Sequence, residues 1–419
     1  MPSWNTHALI TRAALSRENL PRLDDSIPVV PLEDFLSIAK QPLLELLKWY
    51  YGLLNGKVRM ATPGRSAIAK VPEQILTVTD FLAALRLNVN QPLYYVRILR
   101  PDEISQDAPH DASRAGPPGG MYVQTGQQEG IRAREVLCTF SDEPDWGMDQ
   151  DLFSVAEYGY VPWPFGPKHG KSSQAPFHMA FLHENLLIKA LLPGLRRSFM
   201  GERILLFFAL ARLAMNSGFT YWGWRFGAWA MHYLQDLTQP YHATAIPPAK
   251  LPLLVRFILN PFHLKVFAAK NENYLKNRHA LFESAVHFLI NEAVKKGADH
   301  PFLRALAGEI NMSGHDVHRH QPIGLEMDIG LVMRETSRIA ADLARRIDRT
   351  LIALMCDPKI SDPSYSLEYD NTYRIEQTVL SASKERSDLF DEFTTQVSTC
   401  LIVAGEVSRH AVQMVADTG

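Results

Sequence analysis

The residues of this chain best suited to chemistry are histidines and carboxylates at helical spacing. In His232-Tyr-Leu-Gln-Asp236-Leu-Thr-Gln-Pro-Tyr-His242 a His and an Asp stand four apart. That places them on one helical face, where both can clamp one ion. Pro240 ends the helix and lets His242 turn toward a second ion. Among 15 His and 45 acidic residues, His-x3-acid alone arises by chance about once or twice, so the extra His is what makes the longer motif notable. The same spacing recurs at His279 and Glu283. Imidazole and carboxylate donors without thiolate suit zinc, and sites that keep a position open for water are catalytic rather than structural.

These residues need helices to hold them. Residues 203–241 are strongly apolar and aromatic and meet a breaker at Pro240, so they predict a buried central helix carrying His232 and Asp236. A second helix is expected over 274–296 with His279 and Glu283, and others over 5–15, 43–53, 325–355 and 375–416. Residues 101–130 and 158–176 are rich in Pro and Gly and read as irregular loops. No fixed-period repeat and no run of alternating strands is evident. The expectation is an all-α, multi-helix bundle in one domain, 1–419, with insertions near 54–130 and 247–270. Trp222, Trp224 and Trp229 read as core, His287 as packing near the site, and His315, His318 and His320 as a solvated loop.

Composition narrows the function classes. With 46% hydrophobic and 21% charged residues the chain can bury a substantial core. A net charge of −2 argues against a surface that neutralises many phosphates of duplex DNA. Cys138, Cys356 and Cys400 are too few and too scattered for a disulfide framework or a thiolate metal site. The apolar stretches 204–215 and 251–259 fall short of the roughly 20 residues that span a bilayer. Residues 1–12 lack the charged start and apolar run of a secretory signal, which predicts a cytoplasmic protein as written.

The central motif resembles the His-Tyr-Leu-x-Asp-x-x-Gln-Pro-x-His pattern of the superfamily that unites zinc-dependent bacterial phospholipase C with the fungal and plant single-strand-specific zinc nucleases, many of them secreted. The resemblance implies that family's helical fold and two or three zinc ions. His232 and Asp236 would bind a pair of ions, the Asp bridging them, while His242, His279 and Glu283 would hold a third. It also implies Asp142 in Phe140-Ser-Asp-Glu-Pro144, taken ahead of Asp145 and Asp149, as a ligand and as the group that orients or deprotonates the attacking water. His178 in Ala175-Pro-Phe-His178, taken ahead of His169 and His183, and His7 near the start would be ligands too. The family's N-terminal residue binds zinc through its amine and carbonyl. Pro2, exposed by removal of Met1, is the candidate here, because Trp4 is not terminal.

Paired ions of this kind lower the pKa of a shared water and stabilise charge on phosphate oxygens, so the implied activity is phosphodiester hydrolysis. Glu283 in place of Asp, the His-Tyr-Leu wording and the apolar stretch after His242 favour a phospholipid substrate, with peripheral membrane contact, over single-stranded nucleic acid. The alternatives are a nuclease of the same fold, which needs an aromatic pocket to stack a base, and a non-catalytic binding module with a partial metal site.

Overall fold

Gly218 divides the expected central helix in two, because its backbone turns at φ +81°, a conformation other residues rarely adopt. The computed structural model of the chain describes residues 6–18, 22–61, 71–100, 103, 122–150, 152, 176–191, 193–196, 198–245, 261–310, 328–362, 364–367, 370 and 372–417. Among these the protein is mainly helical. The first half contains α1 (Thr6–Ala14), α2 (Leu32–Ile38), α3 (Lys40–Ala61), α4 (Val78–Ala84), α5 (Ala133–Phe140) and α6 (Leu186–Leu191). The centre is α7 (Met200–Asn216), α8 (Thr220–Asp236) and the short α9 (Pro240–Ala243). The second half contains α10 (Pro261–Lys296), α11 (Pro301–Leu306), α12 (Ile329–Met355), α13 (Ile375–Glu385) and α14 (Ser387–Ala416).

Two short strand pairs accompany the helices: β1 (Ser26–Pro28) pairs antiparallel with β4 (Gly130–Arg132), and β2 (Val96–Ile98) with β3 (Tyr122–Gln124). With three residues each, they are too short to show an alternating pattern. From the stretch 54–130, Phe81, Leu82, Leu85, Val96 and Ile98 are buried. Downstream, α10 begins at Pro261 rather than near residue 274, and the expected helix over 375–416 breaks at Arg386. No helix among the described residues is long and apolar enough to cross a membrane.

Helix α8 is the axis of the fold. From Tyr221 to Asp236 every residue is buried, as expected of the aromatic run that includes Trp222, Trp224 and Trp229. Phe207 of α7 packs on Trp229 and Tyr233, so the two helices fold back on one another. A large core cluster gathers α2 to α5 around this pair, and a second joins α1, α10, α12 and α14. Close approach of α14 to α11 depends on Gly405, where a Cβ would lie 2.0 Å from the Leu306 carbonyl oxygen. The candidate site residues lie where α1, the C-terminal end of α8, α9 and α10 meet, between the two clusters.

Candidate metal centre

Local geometry places the ligand pairs. His232 and Asp236 occupy successive turns of α8, with His232 Nε2 3.2 Å from Asp236 Oδ2. Gln239 caps α9 by accepting hydrogen bonds from the Tyr241 and His242 N–H groups, which turns the chain at Pro240 and returns His242 to the site. His242 Nδ1 lies 2.9 Å from Asp236 Oδ1, and its Nε2 lies 3.1 Å from His279 Nε2. On α10 Glu283 Oε1 is 2.6 Å from His279 Nε2 and 3.5 Å from His242 Nε2, and Gln239 Nε2 donates to it at 3.0 Å.

Two more residues arrive from distant segments. His178, in the turn before α6, is fully buried, and its Nδ1 lies 2.9 Å from Asp236 Oδ2 and 3.0 Å from His232 Nε2. A backbone bond from Ala180 N–H to the His242 carbonyl ties this turn to α9. His7, on the first turn of α1, points Nε2 at Asp236 Oδ1 (3.6 Å) and at Asp145 Oδ2 (3.7 Å), while Nδ1 contacts Gln235 Oε1 at 2.8 Å.

Three groups able to hold a metal ion result: His7 with Asp145 and His232, His178 with His232 and Asp236, and His242 with His279 and Glu283. An ion with four ligands at about 2.0–2.2 Å holds its donor atoms roughly 3.3 Å apart, which is the scale of the contacts above. The tautomers point the same way. His232 Nδ1 faces the Ser141 carbonyl at 2.7 Å, and His178 Nε2 faces Asp149 Oδ2 at 3.2 Å. If those nitrogens carry the hydrogens, the two ring nitrogens 3.0 Å apart both present lone pairs, which a cation or a proton between them satisfies.

Asp142 is not in this cluster. Its carboxylate accepts a bond from the Ala8 N–H at 3.1 Å and one from the Tyr122 hydroxyl at 3.0 Å, which fastens the end of α5 to α1 and β3. Asp145 stands in its place, 3.6 Å from His178 Nδ1 and 3.8 Å from His232 Nε2. The 3-10 turn Glu143–Trp146 repeats every three residues, so Asp142 and Asp145 share a side, one turn apart, and only the second reaches the ligands. A buried network fixes that turn: Glu143 pairs with Arg225 and accepts from Trp229 Nε1 at 2.6 Å, and the Arg225 guanidinium lies over the Phe140 ring.

The other candidates separate cleanly. His183 Nε2 contacts the Arg334 carbonyl and Ser337, away from the cluster. His287 bonds Thr6 and Asn291, which agrees with a packing role. Pro2, His169, His315, His318 and His320 lie outside the described residues. Gln235 and Gln239, which contact His7 and Glu283, lie within the central motif but carry no ligand spacing of their own, and the sequence offers Asp149 only as an alternative ligand.

Electrostatics follow from burial among charges. Burial, with His232 beside it, pushes His7 down to about 3, so this ring is neutral near pH 7. Burial opposes protonation of His178 and His242, but neighbouring carboxylates, Asp149 and Asp236 for the first and Asp236 and Glu283 for the second, raise them to about 10 and about 9. Against burial, His279 and His242 hold Glu283 down to about 2. Burial raises Asp145, the most exposed carboxylate facing the paired groups at 14%. A metal ion entering here would displace protons from His178 and His242.

Comparison of the chain with protein-family models, curated proteins and solved structures finds no match.

Proposed function

We propose that this protein is a zinc-dependent phosphodiester hydrolase of the phospholipase C-like kind. The observation that carries the reading is the sharing of Asp236: Oδ2 faces His178 and His232, and Oδ1 faces His7 and, through the His242 ring, the His242, His279 and Glu283 group. The donors are imidazole and carboxylate only, a set that suits zinc. The residues that would hold the ions are His7, Asp145, His178, His232, Asp236, His242, His279 and Glu283. When bound, zinc supplies a water of lowered pKa and positive charge for the phosphate oxygens.

The chain's own residues supply the rest. Asp145 borders the paired groups and is the carboxylate placed to accept a proton at Oδ1 or Oδ2 from an attacking water. Gln235 and the Ser141 carbonyl orient His7 and His232. Glu283 and the central motif's resemblance support a phospholipid ahead of a nucleic acid. The test is elemental analysis of purified protein, followed by assays on phosphatidylcholine, single-stranded DNA and a nitrophenyl phosphodiester. Two or three zinc ions per chain with zinc-dependent diester cleavage are expected. A chain that holds no zinc, or that holds zinc and cleaves none of the three, refutes the hydrolase and leaves a binding module.

A further inference from the structure

Asp149 belongs to none of the three ligand groups, yet its carboxylate is fully buried and faces His178 from behind. Its Oδ2 lies 3.2 Å from His178 Nε2, an ion-pair approach that leaves it the nearest acceptor for that nitrogen, whereas the ring's other nitrogen, Nδ1, faces Asp236, His232 and Asp145. A neutral imidazole offers a lone pair at one nitrogen only when the other carries the hydrogen, so the acceptor of that hydrogen decides which nitrogen can bind. We infer that Asp149 is a positioning residue for the candidate metal centre: it holds His178 as the Nε2–H tautomer and so presents Nδ1 to an ion shared with His232 and Asp236. The inference rests on the metal reading proposed above.

The carboxylate is itself held from two helices. Arg203 of α7 donates to Oδ1 at 2.6 Å, and the Tyr233 hydroxyl of α8 donates to Oδ2. Arg203 also donates to the Leu85 and Arg86 carbonyls, and its guanidinium lies over the ring of Phe177, the residue preceding His178. An acceptor fixed this firmly allows the imidazole one orientation, and loss of such a partner typically weakens metal binding by about 10–100-fold. If Asp149 served only to balance Arg203, its loss would lower stability and leave the affinity of folded protein unchanged.

The experiment measures zinc affinity by competition with a chromophoric chelator in a His279→Ala background, which removes the ligand group on α10, with and without Asp149→Asn. Asparagine must give its single oxygen either to Arg203 or to His178. Because it also leaves Arg203 without a counter-charge, the charge-balanced double variant Asp149→Leu with Arg203→Met is measured beside it. Zinc binding about 10–100-fold weaker in either folded variant is expected. Nitrogen NMR of the zinc-loaded parent should show the Nε2–H tautomer at His178. Unchanged affinity in the variants of a parent that binds zinc, or an Nδ1–H tautomer at His178, overturns this inference alone. A parent that takes up no zinc overturns the metal reading and this inference with it.

Discussion

Asp142→Asn and Asp145→Asn should have opposite consequences although the two residues are one 3-10 turn apart. Burial raises the Asp142 carboxyl above its ordinary value, which favours the uncharged acid that asparagine copies in shape and charge. The amide can still accept from the Ala8 N–H and still hydrogen-bond the Tyr122 oxygen. The loss is at most one neutral hydrogen bond, about 1 kcal/mol. An unfolding entropy of about 2.1 cal/mol/K per residue makes roughly 0.9 kcal/mol/K for 419 residues, so Tm should fall by about 1 °C. Zinc content and turnover should stay at the parent level. Asp145→Asn instead removes a charge that faces His7, His178 and His232. Loss of a general base costs about 100- to 10,000-fold, so kcat/KM on a nitrophenyl diester should fall at least about 100-fold, about 2.7 kcal/mol of barrier. Zinc content at the paired groups should fall as well, with little change in the melting of metal-free protein. The assays are elemental analysis, thermal melting without metal, and initial rates. If Asp142→Asn abolishes zinc binding and hydrolysis while Asp145→Asn spares both, the placement of Asp145 in the centre is wrong.

Metal-free protein should show a pH dependence set by the site. His178 and His242 rise from 6.5 to about 10 and about 9 on folding, so their contribution is complete below pH 6.5 and lost as pH climbs through 9 to 10. Glu283 falls from 4.5 to about 2, so its contribution is present above pH 4.5 and lost as pH drops through 2. His7 falls from 6.5 to about 3, so it costs stability as pH drops below 6.5. Melting scans without metal should therefore peak near pH 6.5, and zinc should flatten the alkaline limb; a metal-free Tm that rises from pH 7 to 9 contradicts the assignment. Gln239→Ala removes the α9 cap and the donor to Glu283, and should cost about 1 kcal/mol of stability and about 10–100-fold in zinc affinity at the His242 group, measured by melting and by chelator competition. Gly405→Ala pushes a methyl group toward the Leu306 carbonyl and should destabilise by about 1–3 kcal/mol or more in denaturant titration, with the zinc stoichiometry of folded protein unchanged.

What could be read from residue order is what one helical turn decides. His232 with Asp236 and His279 with Glu283 are each four apart, so their convergence follows from helix geometry alone. Pro240 likewise announces a change of direction before His242. The split of the central segment was visible in principle at Gly218, but the apolar run on both sides of it hid the turn, because a buried helix and a buried helical pair share the same hydrophobic pattern. The choice between Asp142 and Asp145 lies beyond local pattern. It depends on Ala8 and Tyr122 occupying one carboxylate and three histidines from separate segments surrounding the other. Asp149 was legible only as an acid near the motif, since its partner His178 and its anchor Arg203 become neighbours only when α7 and α8 pack together.

The same distinction explains why one carboxylate organises the whole centre. Asp236 is the last residue of α8, and its two oxygens reach both back to His232 one turn earlier and across to α1 and α9. One oxygen faces His178 and, on α8 itself, His232, and the other meets His7 of α1 and His242 of α9. Neighbouring positive groups hold Asp236 well below the ordinary carboxylate range against the cost of burial, so it enters the folded state as an anion. A buried anion paired with histidines is a weak source of stability, because desolvation offsets much of the attraction. Divalent ions in their place satisfy the same lone pairs with more charge, and their binding free energy adds to that of folding. The arrangement around Asp236 is therefore better suited to holding cations than to holding helices together, and the helices are joined instead by the two apolar clusters.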